Sequence, residues 1–136
     1  MKIMLDKEAI MPVRAHSTDA GLDLFSRESF LIEPGHSHAF DTGVHIELPE
    51  GTAGFLKSKS GLNVKYGLTS EGVIDVGYTG PIVVKVYNHS NKAYLVHKGD
   101  KISQLVIVKI DTPELEVVDS LEETERGNDG FGSTGN

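Results

Sequence analysis

No stretch of this chain sustains a helical period of apolar residues, and that absence restricts the fold more than any other property of it. Short apolar runs instead alternate with turn signals at roughly eight- to twelve-residue intervals. Pro34-Gly35, Pro49-Glu50-Gly51-Thr52, Asn88-His89-Ser90-Asn91 and Lys98-Gly99-Asp100-Lys101 supply those turns. Strands are expected at 2–5, around Leu22 and Leu24, and at 29–33, 38–48 and 53–59. Further strands are expected at 81–88, 93–97, 102–110 and 115–118, the second half of a hairpin at 81–88 reading as buried. One short helix is expected over 61–66, with Ser60 as its cap. The pattern is that of an all-β chain without internal repeats.

Length and charge narrow the function. A chain of 136 residues is one domain with room for a core. Its formal net charge of −7 argues against broad binding to nucleic acid or anionic membranes. No cysteine is present, so neither disulfides nor thiolate metal sites are available. The first residues lack a long apolar core of a secretory signal, and no run reaches the roughly 18 apolar residues that span a bilayer. A cytoplasmic protein is expected.

Chemistry concentrates in Glu71 to Gly80, Glu-Gly-Val-Ile-Asp-Val-Gly-Tyr-Thr-Gly. A strand, a carboxylate, a tight turn and an aromatic make the start of a hairpin pocket. Backbone at Gly72, Val73 and Ile74 can read the edge of a planar ring. Tyr78 can pack on a sugar, and Asp75 can hold a water. Taken alone, the stretch reads first as an ordinary hairpin with a turn aspartate and a core tyrosine.

Other segments add to it. In Ala20-Gly21-Leu22-Asp23-Leu24, alternation points Asp23 away from the core, as a solvated carboxylate or an outer partner of hydrated Mg²⁺. Lys57-Ser58-Lys59-Ser60-Gly61 offers hydroxyl, ammonium and N–H donors to an anion, or forms a polar loop. Thr69 and Ser70 lead into the hairpin. Gln104 interrupts an apolar strand, where a core network or a ligand phosphate would satisfy it. His36, His38 and His45 lack a third ligand with metal-site spacing and read as surface residues. The acidic run Glu122-Glu123-Thr124-Glu125 opens a tail rich in glycine. That tail cannot fold alone, yet it suits a flap over a ligand. Arg126 can fork onto a phosphate, Phe131 can stack on a base, and Gly132, Ser133 and Thr134 can offer N–H and O–H groups.

Five of these segments, in order, resemble the motifs of the trimeric dUTP nucleotidohydrolases (dUTPases). They are Ala20–Leu24, Ser58–Leu62, Gly72–Gly80, Lys98–Leu105, and Arg126 with Gly130–Gly135. Lysine stands at 59 and 101 where the family usually has arginine, and Gly77 stands where an acidic residue often precedes the tyrosine. The resemblance implies a jelly-roll-like β-barrel over 1–121 and a flexible tail over 122–136. It implies a homotrimer whose sites are shared between subunits, the tail closing over a neighbour's site. It also implies hydrolysis of dUTP to dUMP and pyrophosphate with Mg²⁺.

Carried over, Asp75 would activate the water, Gly72 to Ile74 would read uracil, and Tyr78 would pack under deoxyribose. Lys59, Ser60, Gly61 and Gln104 would hold phosphates, with Thr69 beside the substrate. Asp23 would bind the waters of Mg²⁺. Phe131 would cap uracil, while Arg126, Gly132, Ser133 and Thr134 would grip the outer phosphates. The alternatives are a dCTP deaminase of the same fold, for which a catalytic glutamate is not evident, and a nucleotide-responsive regulatory binding protein.

Overall fold

The computed structural model describes residues 1–132. It contains ten strands and one seven-residue helix. In chain order these are β1 Lys2–Leu5, β2 Gly21–Phe25, β3 Phe30–Ile32, β4 Ser37–Asp41, β5 Val44–Glu47 and β6 Thr52–Lys57. The helix α1 spans Ser60–Tyr66, followed by β7 Leu68–Ile74, β8 Val83–Asn88, β9 Tyr94–Val96 and β10 Lys101–Lys109. All pairings are antiparallel.

A six-stranded sheet in the order β2-β10-β6-β7-β8-β4 curls around the core, and the pairs β1-β5 and β3-β9 complete it. The result is the expected all-β, jelly-roll-like architecture. Phe40, Leu24, Ile32, Leu68 and Ile82 are among the largest fully buried side chains. They join Val44 and Ile46 of β5 and Val96 of β9 in a single cluster, so one apolar interior serves the curled sheet and both small pairs. Burying a Leu, Ile or Phe contributes about 1.5–3 kcal/mol each.

Several strands differ from their sequence-based form. The run 38–48 splits into β4 and β5 at Thr42-Gly43, where Gly43 takes φ 66°. The hydroxyl of Thr42 donates to the Ile82 carbonyl at 2.7 Å and secures that corner. Strand β8 is buried on one face only: Val84, Val86 and Asn88 point inward, while Val83, Lys85 and Tyr87 face out. Residues 115–118 form no strand, because no neighbouring edge pairs with them, and Leu115 and Val117 stand 96% and 99% exposed.

The helix begins one residue earlier than expected. Lys59 is its N-cap residue and makes no side-chain capping bond, so Ser60 is the first helical residue rather than the cap. Gly67, at φ 67°, closes the C-terminus with its N–H on Asn63 and Leu62 carbonyls.

Candidate active site

The hairpin formed by β7 and β8 carries a cleft. Strand β6 backs it, pairing Lys57 with Glu71 and Leu56 with Gly72. Gly72 lies against Leu56; a Cβ there would stand 3.1 Å from a Leu56 methyl. The cleft encloses about 300 Å³ between Leu56, the stretch Glu71 to Asp75, Tyr78 and Pro81 to Val83, with Lys85 at its edge. Backbone of Gly72, Val73 and Ile74 and the exposed Asp75 therefore share one cavity with Tyr78.

The turn after β7 is built by its own bonds. Tyr78 N–H donates to the Asp75 carbonyl at 3.0 Å, and the Tyr78 hydroxyl donates to the Pro81 carbonyl at 2.8 Å. The ring folds over Gly80, where a Cβ would lie 2.6 Å from the hydroxyl oxygen. Only glycine leaves room for that fold-back. Tyr78 is 45% exposed, so it is not the core tyrosine of an ordinary hairpin.

A second polar centre lies around Asp23. Alternation along β2 is misleading here, since Asp23 is 4% exposed. The 12–20 loop covers its strand: Asp23 N–H donates to the Val13 carbonyl at 2.8 Å, and Val13 N–H returns the bond at 3.3 Å. Lys59 binds one carboxylate oxygen, and Lys101 stands 2.9 Å from the other. Burial pushes the Asp23 carboxyl up, but hydrogen bonds and charge from Lys59 and Lys101 outweigh it and hold the group below the usual carboxylate range. The expected solvated carboxylate is thus a buried one in a three-residue ion cluster.

Gln104 connects that cluster to the loop after β6. In the sheet it lies between Asp23 of β2 and Lys57 of β6. Its amide donates to the Ser58 carbonyl at 3.1 Å, and its side chain rests on Gly21. A bulge between Lys101 and Ser103 changes the register and turns both Ile102 and Ser103 inward. Ser103, fully buried, meets the Ser70 hydroxyl at 2.8 Å and donates to the Lys57 carbonyl at 3.0 Å. Ser70 N–H donates to the Ser58 hydroxyl at 3.0 Å. Three serines and Gln104 thereby fix the backbone that enters Lys59, Ser60 and Gly61.

Lys59 and Gly61 line a separate recess of about 290 Å³ with Leu62, Lys65, Tyr66 and Lys101. It shares no lining residue with the hairpin cleft. Thr69 is committed elsewhere, its hydroxyl 2.7 Å from Nε2 of His89. Among the described residues the tail lines neither cavity: Arg126 donates to the carbonyls of Asp129 and Gly130, closing its own turn. Phe131 and Gly132 are exposed, and Ser133 and Thr134 lie outside the described residues. Glu71, Lys85, Lys65 and Lys101 were not anticipated as lining residues. For Glu71 and Lys85 the signal was there, as outward positions on the two hairpin strands.

Fold and cleft define a class: a jelly-roll-like β protein whose hairpin carries a cleft with an exposed carboxylate and a half-exposed tyrosine, with a cationic recess elsewhere on the same chain. Comparison with known proteins makes this specific. The dUTPase family model matches residues 7–135. The deoxyuridine 5'-triphosphate nucleotidohydrolase of Clostridium kluyveri is 46% identical over 134 residues, covering 96% of this chain and 94% of that protein. The Staphylococcus bacteriophage 80alpha dUTPase, solved with dUPNHPP, superposes with a TM-score of 0.88 at 36% identity, covering 98% and 97% of the two chains. A mutant dUTPase of S. aureus phage phi11, solved to show coordination of a structural Mg(II) ion, gives 0.84 at 34% identity, covering 90% and 98%. The chain belongs to the dUTPase family.

Among the described residues no helix is long and apolar enough to cross a membrane.

Proposed function

We propose that this chain hydrolyses dUTP to dUMP and pyrophosphate, limiting uracil in DNA and supplying dUMP to the cytoplasmic thymidine nucleotide pool. The observation that carries the reading is the hairpin cleft, in which Asp75 stands beside the Gly72–Ile74 backbone and the half-exposed Tyr78. Uracil pairs with that backbone, and deoxyribose packs on Tyr78. Asp75 orients a water and takes its proton as the oxygen attacks the α-phosphorus. The bond from that phosphorus to the α–β bridging oxygen breaks, and pyrophosphate leaves.

Phosphates belong to the Lys59-Ser60-Gly61 segment and Gln104, whose backbone the serine network holds rigid. Because recess and cleft share no residues, the reading is a homotrimer in which one copy's recess serves another copy's cleft. The exposed Leu115 and Val117 and the exposed tail residues 122–132 support such assembly. In it, residues 1–121 form the barrel and 122–136 the arm. Arg126, Phe131, Gly132, Ser133 and Thr134 then close over a neighbour's substrate.

Mg²⁺ enters as counter-ion to a triphosphate of about four negative charges. The phi11 protein is described with a structural Mg(II) ion, which supports use of the metal in the family and not this counter-ion role. Asp23 does not fit as its carboxylate in the arrangement seen here, since lysine ammoniums occupy both oxygens. It would meet metal-bound water only after Lys59 or Lys101 moved away.

The test is pyrophosphate release from dUTP, UTP, dCTP and dTTP with Mg²⁺, comparing wild type with Asp75→Asn. Rapid release from dUTP alone, lost in the variant, is expected. Ammonia from dCTP would reassign the chain as a deaminase. Inactivity on all four would leave the regulatory role.

A further inference from the structure

His45 belongs to none of the five motifs, yet its ring joins the hairpin turn to the N-terminal strand. From β5, Nδ1 lies 2.8 Å from the Thr79 carbonyl oxygen and Nε2 lies 3.1 Å from Oδ1 of Asp6. A carbonyl and a carboxylate both accept. Only an imidazolium, with a proton on each nitrogen, satisfies both together. The side chain is 15% exposed, so water is a poor substitute for either partner.

The location gives the bond its importance. Thr79 directly follows Tyr78. The other hydrogen bonds of the turn, from Tyr78 to Asp75 and to Pro81, stay inside it. Among the described residues, the contact with His45 is the hydrogen bond that ties residues 75–81 to the barrel. We propose that His45, oriented by Asp6, is a positioning residue for substrate: it pins the Thr79 carbonyl and so fixes the Tyr78 ring that supports the deoxyribose. This rests on the reading of the cleft as the dUTP site.

The surrounding charges favour the imidazolium. Asp6 touches the ring, and Asp41 adds negative charge from the end of β4, itself paired with Arg27 at 3.0 Å. Lys2 and Glu47, on β1 and β5, pair with each other at 3.2 Å and largely cancel. Asp75 is the carboxylate of the turn itself. The Thr79 carbonyl first, and then Asp6, hold the proton on His45 above the ordinary imidazole range. The clamp is therefore complete at low pH; as pH rises through that elevated value one proton remains, the Asp6 carboxylate draws it to Nε2 as the stronger acceptor, and the Thr79 bond is the one lost.

Three substitutions separate positioning from folding. His45→Asn places an amide nitrogen where Nδ1 stands and keeps the Thr79 bond. His45→Gln reaches only the Nε2 position, and His45→Leu makes neither bond. The KM for dUTP is expected to rise about fivefold in the Gln and Leu variants, the effect of one net hydrogen bond, with kcat changed less. The Asn variant should keep the low-pH wild-type KM. Between about pH 6 and about pH 9, the wild-type KM should rise relative to that of His45→Asn, titration of the substrate being common to both.

Equal KM changes in the Asn and Leu variants, or parallel pH profiles in all four proteins, would overturn the proposal. Amide resonances of Thr79 and Gly80 should follow the His45 ring titration in wild type and not in the Asn variant. If they ignore that titration, the clamp is wrong whatever the kinetics. Absence of dUTP hydrolysis by wild type would sink only the functional reading, and the resonances would still decide the clamp.

Discussion

The Lys101 ammonium stands 2.9 Å from Oδ2 of Asp23, and Lys59 holds the other oxygen of the same buried carboxylate. Two flexible cations thus converge on one anion at the edge of the cationic recess. The depressed Asp23 ionisation makes this cluster a source of pH-dependent stability. That stability is fully present above the ordinary carboxylate value of about 3.9 and is lost as pH falls through the lower folded-state value. Urea unfolding of wild type and Asp23→Asn across acidic pH should show a steeper loss in wild type. At neutral pH the variant should be less stable by about 1–3 kcal/mol. Matching slopes would dismiss the cluster as a contributor.

Lys59→Arg tests what the lysine forfeits. A guanidinium can fork onto Asp23 or a phosphate, whereas an ammonium binds as a point charge. A KM lowered about threefold or more, or a faster turnover, is expected from the order of one improved hydrogen bond. Unchanged kinetics would remove the argument that lysine at this position weakens the cradle.

Two glycines should respond in opposite ways to alanine. At Gly80 the new Cβ meets the far end of Tyr78, which can swing away. Gly80→Ala should therefore cost under about 1 kcal/mol of stability while raising the KM for dUTP. At Gly43 the backbone has φ 66° and a Cβ would stand 2.7 Å from Nη1 of Arg27. Gly43→Ala should cost about 1–3 kcal/mol and leave KM unchanged. Thermal melts with steady-state kinetics on both variants check this; the same pattern in both would count against the distinction.

Ser103→Val removes a fully buried hydroxyl from the network that supports the Ser58–Gly61 backbone. It leaves Ser70 without that partner and should cost about 1–3 kcal/mol. Adding Ser70→Val should cost less than the sum of the single changes, because the two hydroxyls satisfy each other. A double-mutant cycle in urea measures the coupling, and strict additivity would contradict it.

The order of elements was legible in the chain because strand and turn signals are local. Asp75, Tyr78 and the Gly72–Ile74 backbone fall within one hairpin, so their meeting in one cleft followed from their spacing. Those features were determined by the amino-acid sequence itself. Long-range contacts decided the rest. Asp23 is buried because the 12–20 loop pairs with β2 and two distant lysines converge on it, which strand alternation cannot report. Gln104 and Ser103 face their partners because a bulge in β10 breaks the two-residue period. His45 looked like a surface histidine, since both of its partners are more than thirty residues away in sequence. Residues 115–118 have a strand's composition but no strand in this chain, because a strand needs an edge to pair with and composition cannot supply one.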